Sequence, residues 1–148
     1  MKKILAVDID ETCVDVIPTH LDWCNIFSGK SLTHKDIGYD YNLEKYFPEL
    51  EGVMDFWSTP NLYQKLKPKD GCMETLKILH NMGWKIGFTT YAKKGHFSSK
   101  CEWIKKNFPF YSFINASKEK GYTLCTHFVD DRNKHLNQMP SDVVLIKM

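Results

Sequence analysis

No long hydrophobic run occurs in this sequence. Lys2-Lys3 is followed by Ile4 to Val7, but Asp8 interrupts the run after these four apolar residues, too soon for a secretory signal. Val143 to Ile146 is equally short against the roughly 20 apolar residues a membrane helix needs. A soluble, cytoplasmic protein without a membrane partner is therefore expected. The sequence also lacks any C-x-x-C pair. Its five cysteines (Cys13, Cys24, Cys72, Cys101, Cys125) are odd in number and widely spaced, which suits reduced thiols better than a disulfide framework or a zinc site. The six histidines add no ligand spacing. Charge of one sign is not in excess: 20 Lys and Arg against 18 Asp and Glu leave +2. No stable nucleic-acid partner is expected from so weak a field, and an anion must be held locally. Repeats, flexible linkers and low-complexity tracts are absent too. The 148 residues, 43% hydrophobic, have the composition of one ordinary domain.

Short apolar runs define a sheet. Ile4 to Ile9, Lys85 to Thr90, Thr126 to Val129 and Val143 to Ile146 are apolar on consecutive residues, as in parallel strands covered on both faces, with a weaker fifth run around Ser112 to Asn115. Met73, Leu76, Leu79 and His80 recur at helical spacing and are closed by Gly83. Ser99-Lys100-Cys101-Glu102 has the capping-box pattern, predicting a helix that starts there and carries Trp103, Ile104 and Phe108. Alternating strands and helices predict a doubly wound α/β fold with a parallel, Rossmann-like sheet. Residues 18–67 break the alternation, with Trp23, Phe27, Tyr39, Tyr41, Tyr46, Phe47, Phe56, Trp57 and Tyr63 among polar residues and turn signals. This stretch reads as a small, mostly helical cap inserted after the first strand, leaving 1–17 and 68–148 as the core of a single domain. Its aromatics at helical spacing read first as a small apolar core of the cap.

The chemistry gathers at strand ends. Asp8 and Asp10 follow a buried run, and residues i and i+2 of a strand share a face, so both carboxylates should converge at the carboxyl end where α/β sheets bind ligands. Asp130 and Asp131 follow a second such run, and Thr89-Thr90 end a third. Any one of these acids could merely cap a turn, but clustered together they repel each other and call for a cation. An all-oxygen set points to Mg²⁺, and Mg²⁺ to a phosphate substrate. Adjacent residues of a strand face opposite ways, so one of Asp130 and Asp131 should bind the metal directly and the other support it, with the choice open. Lys100 follows the predicted cap Ser99; Lys118 and Lys120, nearer the Asp130 strand, are the alternative phosphate lysines. Glu11 and Cys13 read as structural, and His127 and His135 as bystanders.

The ordered set Asp8-x-Asp10-x-Thr12, Thr89 behind a buried strand, a lysine and Asp130-Asp131 resembles the motif set of the haloacid-dehalogenase superfamily along nearly the whole chain. Within it, Thr89-Thr90-Tyr91-Ala92-Lys93, Lys100-Cys101-Glu102-Trp103 and Asp130-Asp131-Arg132 are similar to the 5′(3′)-deoxyribonucleotidases, and Leu66 to Gly71 resembles their return from cap to core. The resemblance implies a Mg²⁺-dependent phosphomonoesterase acting on deoxynucleoside monophosphates through an aspartyl-phosphate. Asp8 would be the nucleophile, Asp10 the acid and base, and Thr89 and Lys100 would hold the phosphate. Asp8, Asp10, Asp130 and Asp131 would hold the metal, and Thr90, Lys93, Arg132, Trp57 and Tyr63 the substrate. Asp10 favours a phosphatase, since the superfamily's dehalogenases lack this second acid. A polynucleotide 3′-phosphatase, another small-molecule phosphatase and a non-catalytic phosphate-binding module are the competing readings.

Overall fold

The computed structural model of the protein describes residues 2–38, 40–93 and 95–148, so Tyr39 of the insert lies outside the described residues. Five parallel strands form one sheet in the order β3-β2-β1-β4-β5: β1 Ile4–Val7, β2 Lys85–Thr90, β3 Phe113–Ala116, β4 His127–Asp130 and β5 Val144–Lys147. In the central strand Leu5 pairs with both Ile86 and His127. Leu5, Ala6 and Val7 are all buried. The reason is two-sided coverage. Leu5 and Val7 join Ile86, Phe88, Trp103 and Ile104 in one apolar cluster, whereas Ala6 joins Phe128, Leu136 and Met139 in another.

Four of the five elements of the sheet follow the apolar runs closely, but the fifth corrects the expectation of burial. Val144, Leu145 and Ile146 are exposed because β5 ends the strand order and is paired on one side only. Helix α3 (Cys72–Asn81) runs into Gly83, whose φ of +88° supplies the expected left-handed stop before β2. Helix α4 (His96–Asn107) starts earlier than the capping-box pattern predicts. Gly95, at φ +87°, breaks the chain ahead of it, and the Ser99 hydroxyl accepts a hydrogen bond from the Tyr63 amide (3.3 Å) instead of capping. Lys100 therefore sits a turn inside the helix and not at its N-terminus.

Between β1 and α3 the chain forms α1 (Val16–Ser28), α2 (His34–Ile37) and 3-10 turns at Leu43–Lys45, Val53–Ser58 and Leu62–Lys65. Ile17, Leu21, Cys24, Ile37, Leu43, Phe47 and Val53 pack together in a cluster distinct from the two against the sheet. Phe56 and Tyr63 instead pack into the cluster beneath β1 and β2, tying this segment to the sheet. Helix α5 (Asn133–Leu136) links β4 to β5. Among the described residues no helix is long and apolar enough to cross a membrane.

Candidate active site

β1 delivers the first acid, but the strand stops earlier than its apolar run suggests. The Asp8 amide still donates to the Val129 carbonyl (2.9 Å); the chain then closes a tight loop in which Ile9 O accepts from Cys13 and Val14. Glu11 takes a left-handed conformation (φ +59°), a costly one for a residue with a side chain. Its carboxylate offsets this by accepting from the amides of Val16 (2.6 Å) and Ile17 (2.7 Å), satisfying the orphan donors at the start of α1. The loop, and not strand alternation, thus aims Asp8 and Asp10.

Each of these two acids has its own buried lysine. Asp8 Oδ1 lies 2.5 Å from Lys120 Nζ, which also donates to Asp130 Oδ2 at 2.7 Å. Lys120 is 1% exposed, on a 3-10 turn (Lys120–Tyr122) whose amide donates to Gln138 Oε1. Asp10 Oδ2 lies 2.6 Å from Lys100 Nζ, whose other two N–H groups reach Thr90 Oγ1 (2.8 Å) and Tyr91 O (2.7 Å). All three ammonium donors are satisfied, so Lys100 holds one position. The Tyr63 hydroxyl donates to Asp10 Oδ1.

The second acidic pair is held as firmly. Asp130, fully buried, accepts from the Arg132 amide (2.8 Å) and faces His135 Nδ1 at 3.1 Å. Asp131 accepts from the Tyr41 hydroxyl (2.9 Å), and its amide donates to Thr12 Oγ1 (3.1 Å). Its other oxygen is buried and has no partner among the described residues.

Burial sets the charge states. It raises the Asp8 carboxyl to about 7, against the opposing pull of Lys120 and helped by the charges of Asp130 and Asp10. Burial likewise disfavours ionised Asp130, yet hydrogen bonding from His135 and the Lys120 charge hold that carboxyl below the usual range. Asp131 is raised, chiefly by burial. Burial and the facing carboxylates push the Tyr41 and Tyr63 hydroxyls well above their ordinary value, so both stay protonated and donate. One oxygen from each of Asp8, Asp130 and Asp131 lies within 4.8 Å of the others. Three close carboxylates, an orphaned buried oxygen and a raised Asp8 form a hard, oxygen-only set short of positive charge, which fits Mg²⁺. Asp10 is not in this cluster: its carboxylate is engaged by Lys100 and Tyr63.

Asp8 and Asp10 open into a cavity of about 210 Å³, whereas Asp130 and Asp131 lie behind its wall and do not line it. Asp8, Asp10, Lys100 and Lys120 line its buried end, and Tyr91 and Lys93 its exposed end. Met54, Trp57 and Tyr41 enter from the insert, and His96, Arg132 and His135 complete the wall. The Arg132 guanidinium lies 4.8 Å from the centre of the Tyr41 ring.

Most of the residues anticipated from sequence thus share one cavity, but several readings change. Tyr63 is not on the cavity wall: its ring is fully buried among Trp103 and His96, and only its hydroxyl acts on the site. Thr89 is buried with its hydroxyl 3.1 Å from that of Thr123, and Thr90 bonds Lys100; neither lines the cavity. Of the three candidate lysines, Lys100 and Lys120 both reach acids, whereas Lys118 is exposed, over the Tyr91 ring at 5.5 Å. His135 is no bystander, since it faces Asp130. Tyr41, Met54 and His96 were not singled out for the site at all. Tyr41 is bonded to a residue 90 positions away and His96 faces a carbonyl 37 positions away, contacts that leave no local signal.

A model of the family described as 5′ nucleotidase, deoxy (pyrimidine), cytosolic type C protein matches residues 2–148. No curated protein matches the sequence significantly. Among solved structures, a HAD-superfamily hydrolase of subfamily IA, variant 1, from Geobacter sulfurreducens superposes with TM-score 0.62 at 14% identity, covering 99% of this chain and 86% of its own. The Pnkp1/Rnl/Hen1 RNA repair complex contributes a match with TM-score 0.57 at 11% identity over 100% of this chain, which spans only 42% of that component. The HAD-hydrolase YfnB from Bacillus subtilis, bound to magnesium, gives TM-score 0.52 at 12% identity, covering 88% and 80%. Identities this low establish a shared fold.

Proposed function

Since the chain belongs to the 5′ nucleotidase, deoxy (pyrimidine), cytosolic type C family and is a phosphatase of the haloacid-dehalogenase superfamily, we propose that it is a Mg²⁺-dependent phosphomonoesterase of deoxynucleoside monophosphates. The observation that carries this reading is the pair of acids in one cavity, each on its own buried lysine. Asp8, Asp130 and Asp131 would hold the cation, a reading supported by the magnesium bound to the Bacillus subtilis neighbour; a cation held there would supply positive charge that keeps Asp8 ionised and offsets the charge of a phosphate.

Asp8 attacks phosphorus and forms an aspartyl-phosphate, dividing one displacement into two. Lys120, held between Asp8 and Asp130, stabilises the negative charge that gathers on the transferring group. Asp10 delivers a proton to the leaving oxygen and later accepts one from the attacking water, its two oxygens oriented by Lys100 and Tyr63. Thr89 and Thr90 serve this site through Thr123 and Lys100 and support its geometry from behind. The segment 18–67 acts as a cap that supplies Trp57, Tyr41 and Met54 to the leaving group. A base stacked on Trp57 or Tyr41, with Arg132 and Lys93 at the polar rim, favours nucleotides over sugar phosphates by about 1 to 3 kcal/mol.

Turnover of p-nitrophenyl phosphate, deoxynucleoside and ribonucleoside monophosphates, glycolytic sugar phosphates and 3′-phosphorylated oligonucleotides, each with Mg²⁺ and with EDTA, tests the proposal. The highest kcat/KM is expected on deoxynucleoside monophosphates and only with Mg²⁺. Trp57→Ala should lower kcat/KM on nucleotides about 10-fold while sparing p-nitrophenyl phosphate. Preference for sugar phosphates would remove the nucleotidase assignment, and full activity after exhaustive chelation would remove the metal.

A further inference from the structure

A third lysine, outside the cavity, acts on the backbone of the acid-bearing loop. Lys69 lies on the segment that returns from the insert to α3, with 30% of its side chain exposed. Its Nζ donates to the Glu11 carbonyl at 2.5 Å and lies 3.0 Å from Asp15 Oδ1. Its amide donates to the Cys13 carbonyl (2.8 Å), and its own carbonyl accepts from the Cys72 amide (3.0 Å) at the start of α3. One residue thus fastens the loop to α3 at Glu11, Cys13 and Asp15.

What Lys69 holds is the strained part of the loop. Glu11, next to Asp10, is the residue at φ +59°. Its amide donates to the Val14 carbonyl (2.8 Å) and its carboxylate accepts from Val16 and Ile17, but no backbone amide among the described residues donates to its carbonyl. That carbonyl depends on the Lys69 ammonium, a charged donor and therefore a strong one. The other bonds of Glu11 stay within the loop and the start of α1, and would travel with these elements if they shifted. The Asp8 amide on Val129 and the Asp131 amide on Thr12 fix the loop against β4. Lys69 supplies the second anchor, against α3.

We infer that Lys69 is a positioning residue of the phosphatase: its ammonium, bonded to the Glu11 carbonyl, keeps Asp10 aligned with Asp8 from outside the cavity. The effect on turnover rests on the reading of Asp8 and Asp10 as the reacting acids; the hold on the loop does not. A side chain without a donor at position 69 frees the Glu11 carbonyl and lets residue 11 relax out of the left-handed region. The peptide between Asp10 and Glu11 then turns, carrying the Asp10 carboxylate away from Lys100 and Tyr63. A misplacement of about 1 Å at a reacting group costs up to about 100-fold in rate. Asp10 moves the proton in both steps, so the loss belongs to kcat, whereas the groups that bind phosphate and leaving group stand elsewhere in the cavity and leave KM unchanged.

The test compares the parent with Lys69→Met, Lys69→Arg and Asp15→Asn, by steady-state kinetics on a deoxynucleoside monophosphate with Mg²⁺ and by hydrogen–deuterium exchange of peptides covering residues 9–16. Lys69→Met keeps the aliphatic stem and the backbone amide and removes the ammonium. Its kcat should fall about 10- to 100-fold with KM held within about twofold, and the amides of Glu11, Cys13 and Val14 should exchange faster. Lys69→Arg keeps a cationic donor and should recover kcat to within about threefold of the parent. Asp15→Asn removes a half-exposed ion pair but spares the Glu11 bond, and its kcat should stay near that of the parent. Parent kcat in Lys69→Met, a loss confined to KM, or equal losses in the Met and Arg variants would overturn the role. An Asp15→Asn loss as large as that of Lys69→Met would overturn the assignment to the Glu11 carbonyl. Should Lys69→Met fail to fold by circular dichroism, Lys69→Gln takes its place in the same comparison. If exchange changed as expected in a chain that hydrolyses no phosphate ester, the hold on the loop would stand and the roles of Asp8 and Asp10 would fall.

Discussion

Asp8 and Asp131 differ in what surrounds them, and the difference separates their expected phenotypes. On the proposed mechanism Asp8→Asn keeps the shape of the side chain and loses the phosphoryl acceptor, so turnover should fall on the order of 10⁴-fold or more with circular dichroism unchanged. Acid-quenched protein should retain no phosphate label. Asp131 has one oxygen with no partner among the described residues, so Asp131→Asn should chiefly raise the Mg²⁺ concentration for half-maximal activity. Asp130 is tied to Lys120, His135 and the Arg132 amide, and Asp130→Ala leaves Lys120 buried beside a vacancy. It should also cost about 3 to 5 kcal/mol in urea unfolding. The four acids were legible because each ends an apolar run, a signal carried by neighbouring residues. Lys120 was only one of three candidates and His135 was set aside, because burial and a carboxylate partner are properties of the folded chain. The family resemblance implies that Tyr63 holds the substrate, whereas its ring is fully buried and its hydroxyl bonds Asp10.

At the scale of elements, the strands β1 to β4 and helix α3 could be read from consecutive apolar residues and from Gly83. Elsewhere a competing local solution wins: Gly95 starts α4 before Ser99 can, and β5 lies at the edge where an apolar strand stays exposed. One short element bears on catalysis beyond its length. The turn carrying Lys120 packs so closely that a Cβ on Gly121 would stand 2.3 Å from the Gln138 carbonyl oxygen, which is backbone and cannot swing away. Gly121→Ala should therefore displace Lys120 from between Asp8 and Asp130. We expect a stability loss of about 1 to 3 kcal/mol, measured by urea titration, together with a fall in kcat of about 10-fold or more. Normal kcat would show that the turn relaxes without moving the lysine.

Across the whole molecule, the insert and the sheet meet through aromatic residues, and pH acts on this junction. His20 stacks on Phe56 at 4.3 Å, and its Nε2 lies 2.8 Å from the Val53 carbonyl, while Nδ1 is buried without a partner among the described residues. Burial lowers its pKa, and burial does the same to His96, which faces the Thr59 carbonyl. Both bind protons more tightly when unfolded. Their neutral forms are therefore compatible with full stability above about pH 6.5, and stability is lost as pH falls through that value toward the lower folded pKa. The raised Asp8 carboxyl acts in the opposite sense over the same range, so the histidine contribution is read as a difference: between pH 7.5 and 5 the thermal stability of His20→Gln relative to the parent should improve as pH falls.

The insert also sends two hydroxyls into the core: Tyr41 to Asp131 and Tyr63 to Asp10. For anyone engineering a new specificity, this rules out treating the insert as an interchangeable module. A transplanted replacement with a well-shaped pocket but no phenols at these two points would recognise its intended ester and hydrolyse it poorly. A successful graft must carry those two donors along with the pocket.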